Sequence, residues 1–327
     1  MSKKLTIRES FNLGKGWNLM LFAILSMLVT NAGVNDGLNI ALPAIADGAG
    51  LDYELCLSMG TVAGFVGVAM MFVIAKFRDR FGGRKVSAVL FIIFGLTFYF
   101  LFLRATNIFM YGLSQCIMVS CGQGCFYLCT GPMQSDWFPK KRGVVNGIST
   151  IGANIGTAIL APIMTTLLTM AEYKTSLSVF AVAAVILGIF AYLALRDDPM
   201  EAGMYPDNVS KETYEAEYKD FFKKEEYISD WTVSKMLKCK EVWLAAMVPG
   251  FITLGLLGII TQFVPRNVSL GLSQEIAISA MTVAGLVGIV GSYAIGYLDT
   301  KIGTKKACMI YCAIFALGIA FNLLASL

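Results

Sequence analysis

Polar and apolar residues fall along this chain in blocks. Apolar runs of about 20 residues, the length an α-helix needs to cross a hydrocarbon core of about 30 Å, lie at 18–42, 56–75, 86–103, 108–132, 144–170 and 175–195. Three more follow at 241–264, 274–297 and 307–327. Between 196 and 240 the chain is polar, carries both charge signs and contains Pro199, Gly203 and Pro206. The pattern predicts an all-α membrane protein with nine spanning helices. Six lie in an N-terminal half (1–195), a cytoplasmic linker follows (196–240, with a short surface helix near 211–226), and three open a second half (241–327). Trp17, Trp137 and Trp243 stand at run ends, where interfacial aromatic belts belong.

The blocks repeat. GLDYELCLSMGTVAGFVG from Gly50 returns 221 positions later as GLSQEIAISAMTVAGLVG from Gly271, with 10 of 18 positions identical. Gly82 and Gly303 keep the same offset (303 − 82 = 221). A period this long is no solenoid; in an apolar chain it predicts two parallel half-domains, an organisation used by one large class of secondary transporters. The first span's start near 18 maps to 239 and the third's near 86 maps to 307, where apolar runs begin again. The fourth maps to about 328, and a complete second half would end near 196 + 221 = 417. The expected bundle therefore has twelve helices, nine of them in this sequence and about 90 residues outstanding.

Composition adds the compartment. The chain is 57% hydrophobic and 15% charged, beyond the usual soluble range of roughly 45–50% apolar. With the N-terminus cytoplasmic, only Arg104, Lys174 and Arg266 of the 26 basic residues fall outside, and the first outer loop is acidic (Asp47, Asp52, Glu54). That bias predicts a multi-pass protein of the plasma membrane with its N-terminus inside. Eight cysteines and no histidine leave little for metal or imidazole chemistry. Cys121, Cys125 and Cys129 form one helix stripe and read as packing residues. No cofactor, metal site, enzyme nucleophile or nucleic-acid partner is expected.

Two short basic turns carry a resemblance. KFRDRFGGRK from Lys76, between the second and third spans, resembles the signature loop of the major facilitator superfamily at Phe77, Asp79, Arg80, Gly82 and Arg84, followed by Lys85. Ala75 replaces the motif's first glycine and Gly83 an arginine. The second copy keeps Gly296, Leu298, Lys301, Gly303 and Lys305, but its acid, Asp299, stands one place early with Thr300 in the usual slot. DWFPKKRGVVNGI (136–148) and RDDPMEAGMYPDN (196–208) weakly resemble the oxalate/formate and monocarboxylate-like groups. The resemblance implies a major-facilitator-type two-half bundle, cavity-lining first, fourth and seventh spans, and a gating role for the loop residues. Asp79 would stabilise one arrangement of the halves by pairing with Arg or Lys, or by meeting a helix N-terminus. The alternative is topogenic: basic residues hold the loop inside.

Candidate substrate or ion residues follow from polarity inside apolar runs. Asp36 is the one acid well within a span, at an insertion cost of about 2.5–3.5 kcal/mol, beside the stripe Asn31, Asn35 and Asn39. Its distance from Trp17, about 28 Å along a helix, leaves two roles open: coupling group, or outer-gate and cap residue. Gln115, Ser120 and Gln123 on the fourth span, Asn154 on the fifth and Thr253 on the seventh lie near mid-depth. They either orient a substrate or bond helices together. Gly152 and Gly156 fit close helix packing. No Lys or Arg lies at mid-depth to meet an anion. The expected function is secondary active transport of a small solute, an organic acid among the options, by alternating access coupled to a proton or cation. The alternative is a non-transporting truncated membrane protein or a membrane sensor with partner contacts through the linker.

Overall fold

Phe22, Phe91, Phe94 and Phe98, all apolar positions of the first and third runs, end up fully buried in one core. The computed structural model describes residues 7–218 and 232–324, without the side chains of several helical residues, Asp36 and Asn39 among them. All its regular structure among these residues is helical.

The first run becomes two helices, α1 (Trp17–Val34) and α2 (Asp36–Ala49). There follow α3 (Tyr53–Phe81) and α4 (Gly83–Thr97), the latter continued by a π-helical turn, Phe98–Phe102. The fourth run is α5 (Ile108–Gly124), a π turn (Cys125–Thr130) and α6 (Gly131–Trp137). Then come α7 (Arg142–Met170) and α8 (Tyr173–Ala194), and after the polar stretch α9 (Lys240–Ser269), α10 (Gln274–Ile302) and α11 (Thr304–Leu324). Eight helices among the described residues are individually long and apolar enough to cross a membrane. The fourth run supplies the ninth expected span, divided by its π turn.

The 221-residue repeat holds in the geometry. α3 starts at 53 and ends at 81, and α10 starts at 274 and ends at 302, so both ends shift by 221. Asp52 caps α3 by accepting from the Leu55 N–H, and Ser273 (52 + 221) accepts likewise from Ile276. At the other end Gly82 N–H donates to Arg78 O and Gly303 N–H to Asp299 O, each at 2.9 Å. Gly50, Gly82, Gly271 and Gly303 all take positive φ, a conformation that glycine enters without a Cβ penalty.

The described chain divides into two compact units. One comprises residues up to Asn208 together with Ile278–Thr304; the other is Val209–Ala277 with Lys305 onward. In the first, Phe91, Phe94, Phe98, Phe102 and Tyr111 form an aromatic ladder with successive centroids 5.1–6.3 Å apart, joined by Phe22 on α1. Helices α4 and α8 approach closely at small residues: a Cβ on Gly95 would stand 2.6 Å from Ala181 O, and one on Gly188 would stand 2.8 Å from Ala88 O. Lipid offers no hydrophobic drive between helices, so such backbone proximity supplies the packing. Cys121, Cys125 and Cys129 lie in this core as free thiols. In the other unit Gly255 on α9 faces Phe315 on α11, and Arg266 donates to both the side chain and the carbonyl of Asn322.

The start of the polar stretch is not a solvated tether. Pro206 and Asp207 are buried, and Asp207 Oδ2 accepts from the Lys140 N–H. Lys141, itself buried, donates to the carbonyls of Asn12 and Asp207. The expected helix near 211–226 is seen as Lys211–Glu217; residues 219–226 lie outside the described residues. Lys141→Met takes the donor from both carbonyls and should cost about 1–3 kcal/mol, read as a lower melting temperature of the purified protein. Burial lowers the Lys141 ammonium below its ordinary 10.5, against the opposing pull of Asp207 and Glu9. The folded state then binds fewer protons here than the unfolded, so this contribution to stability rises with pH through the window beneath 10.5.

Candidate functional site

The first span is expected as one helix over 18–42, but the structure breaks it at Asn35, whose φ and ψ are both −113°. The residues there, Asn35-Asp36-Gly37, form a turn-favouring triplet that apolar neighbours had masked. The repeat lacks the break: the equivalent residues Leu256, Leu257 and Gly258 lie inside continuous α9. Asn31 is buried and donates to Ala153 O on α7 at 3.3 Å, and Asn35 donates to Asn31 Oδ1 at 2.7 Å. Gly156 and Gly152 give the room, their missing Cβ atoms facing Asn31 and Ile24 O. Asp36 opens α2. Its side chain, and that of Asn39, are outside the described set.

Gln115 is on α5, which packs against α1 where Thr30 meets Gly122 and Gly33 meets Met118. Gln115 is 2% exposed, and its Nε2 has no hydrogen-bond partner among the described residues. An unmet amide of this kind costs about 1–3 kcal/mol. Ser120 spends its hydroxyl on Cys116 O, and Gln123 is half-buried. Thr253 is exposed on α9 in the other unit. A recess of about 680 Å³, lined by Phe126, Pro132, Gln134, Asp136, Asn146 and Thr150 among others, opens beside the π turn of the fourth span.

A second feature joins the two sequence halves within the first unit. Lys141 at the N-cap of α7 gives no side-chain cap. Instead Thr300 Oγ1 on α10 accepts from the Val144 N–H at 3.2 Å, and the Asp299 carboxylate lies where a Gly143 Cβ would be. Further along, a Cβ on Gly147 would stand 2.5 Å from Ser292 O, and Gly296 abuts Gly143 O. Asn154 then donates to Gly288 O at 3.1 Å and to Ser292 Oγ at 2.6 Å, and Gly285 meets Ala158. The early acid of the second loop thus still reaches a helix N-terminus, because Gly143 leaves it space and Thr300 supplies the cap. Ahead of α1, Ser10 hydrogen-bonds Tyr293 at 2.8 Å and Phe11 stacks on the same ring.

Comparison with known proteins fits this architecture. The family model for the Major Facilitator Superfamily matches residues 19–327. The chain belongs to the Major Facilitator Superfamily. Among its relatives, the MFS-type transporter YhjX of Escherichia coli (strain K12) is 23% identical over 278 residues, 84% of this chain and 64% of that protein. Monocarboxylate transporter 12 of Xenopus laevis is 26% identical over 189 residues (55% and 41%), and its Homo sapiens namesake is 24% identical over 208 (59% and 40%). The chain thus spans less than two thirds of the length of these relatives.

In this superfamily member the two signature loops have different surroundings. Asp79 is 70% exposed and meets only its neighbour Arg78, at 3.2 Å, among the described residues, a pair of little energetic consequence. Arg80 lies over the Phe81 ring. Arg84 donates through Nε to Tyr192 O, and its own N–H is held by Asp197 Oδ1 at 2.7 Å. Lys85 and Lys305 are exposed. Asp197, Thr300 and Asn146 were not singled out as candidates. Each falls in or beside a quoted segment, but only the fold shows which helix end or recess it serves. Gly82, at φ 85°, sits against the Asp197 carboxylate. Gly82→Ala puts a side chain at φ 85°, ψ 157°, a backbone region kept almost to glycine, at about 1–3 kcal/mol, adds a collision there, and should lower the melting temperature more than Gly203→Ala, whose surroundings are open.

Proposed function

We propose that the chain belongs to a secondary active transporter of the plasma membrane, N-terminus inside, which moves a small organic acid by alternating access with a coupled proton or cation. The observation that carries this reading is the broken first span. Discontinuous helices in transporters place free helix ends and side-chain amides at midplane sites. Here Asn31, Asn35 and the N-terminal end of α2 lie together at the break, and Gln115, on the neighbouring α5, has an amide with no partner among the described residues. The N-terminal end of a helix favours negative charge, which offers a carboxylate a counter-charge without Lys or Arg. Asp36, first residue of the same helix end, competes for it when ionised and yields it when protonated, so substrate and proton bind together.

On the family's domain plan, residues 1–195 form the first half, 196–240 the linker and 241–327 the start of the second. The contact of α7 with α10, beside the basic residues 140–142, is then the closed inner gate, with Asn154 as one of its bonds. The repeat extends the idea to Asp79. Thr300, its equivalent at +221, caps α7, so Asp79 would cap the helix related to α7, beginning near 142 + 221 = 363 in a chain that continues the repeat.

Monocarboxylates come first on the substrate panel because two relatives are named monocarboxylate transporter 12. The test is uptake of labelled two- to six-carbon mono- and dicarboxylates into proteoliposomes under an imposed proton gradient. Accumulation abolished by an uncoupler supports the reading. Flux of a neutral solute with no carboxylate transport would overturn the substrate class, and no flux by the full-length protein would overturn transport.

A further inference from the structure

We propose that the outer face of the first unit holds one anionic phospholipid, with an acyl chain seated between α3, α4 and α5 and its phosphate on Lys85. A groove of about 650 Å³ runs there, walled by apolar atoms throughout. Val66 and Phe77 from α3, Val89 from α4 and Cys116 from α5 are among its walls. Even its hydroxyl is inert, since Ser120 donates to Cys116 O at 2.6 Å. Along α3 from Val66 to Phe81 the groove covers 15 residues, about 22 Å, longer than half of a ~30 Å hydrocarbon core. In a chain that crosses the bilayer such a slot is filled by hydrocarbon.

What selects the head group is the end beside Lys85. Lys85 lends its stem to the groove wall and makes no ion pair among the described residues. Lys and Arg place an apolar stem against such surfaces and keep the charge at the boundary. Phe77 and Phe81, both in the wall, stack 6.1 Å apart, and Arg80 covers the Phe81 ring at 5.3 Å. The neighbouring Arg84 is already committed to Tyr192, so among the described residues lining the groove Lys85 supplies the cation at this end. A phosphodiester with a net negative charge fits this end better than a zwitterion, whose ammonium would face Lys85 and Arg80.

The experiment is native mass spectrometry of the purified full chain, titrated with phosphatidylglycerol and with phosphatidylcholine of the same acyl composition. One phosphatidylglycerol per chain should survive activation energies that strip phosphatidylcholine, with at least a tenfold difference in retained fraction. Lys85→Gln should bring the two lipids together, and Val89→Trp, at a 54% exposed wall position, should displace both. Val182→Trp, equally exposed on α8, is the control and should retain lipid as wild type does. Equal retention of the two lipids by the unmodified protein would overturn the head-group assignment. Unchanged retention in Val89→Trp would overturn the groove, as would a lipid-free dimer, which would make a second copy the occupant.

Discussion

Gly147→Leu should leave the protein folded and cut its transport rate at least tenfold. The residue has no side chain because Ser292 O on α10 stands where the Cβ would go, at 2.5 Å. Backbone cannot yield as a side-chain end does, so the two helices must part. Overpacking of this kind costs about 1–3 kcal/mol, which shifts a two-state equilibrium roughly 5- to 150-fold. The cost falls on the state in which α7 and α10 touch, and it also removes Val144 from Thr300 and Asn154 from Gly288. A cycle that must pass through the closed state slows, while the apolar core built from α1, α4 and α8 is untouched. Flux into proteoliposomes gives the rate, and maleimide labelling of Ser292→Cys, alone and with Gly147→Leu, reports the opening. Wild-type flux with unchanged labelling would show that this contact is not part of the cycle.

Much of this could be read from the sequence because the repeat is written twice. Asp52 and Ser273 differ chemically yet cap equivalent helices, and Gly82 and Gly303 close equivalent ends, so an offset found by residue identity was also an offset of geometry. The site was less legible. Hydropathy averages over some twenty residues, and a one-residue interruption at Asn35 disappears within it, although the triplet's local chemistry was visible. The π turn at Cys125–Thr130 escaped for a related reason: one extra residue per turn changes no residue's polarity. Asp299 was the opposite case. Read against a motif, it looked displaced; in three dimensions Gly143, 156 residues away, makes its position workable. Long-range complementarity of this kind leaves no mark at either site alone.

Asp36→Asn should abolish gradient-driven accumulation while sparing counterflow exchange. The substitution keeps the size of the side chain and its place at the start of α2, and it removes the capacity to ionise. If Asp36 must take up a proton before a carboxylate can use the helix end, asparagine mimics the protonated state permanently. Substrate then enters and leaves on either side, so exchange across the membrane continues at a rate within about threefold of wild type. Net uphill movement needs the unloaded, ionised form to return, and that form no longer exists; accumulation should fall at least tenfold towards the equilibrium ratio. Asn31→Leu separates this from a packing effect. It cuts the bonds to Ala153 O and Asn35 but leaves the carboxylate, and should weaken exchange and accumulation together. Unchanged accumulation in Asp36→Asn would remove the residue from coupling. Parallel loss of both activities would assign it to the integrity of the helix break instead, where the carboxylate serves the free N–H groups of α2 rather than a travelling proton.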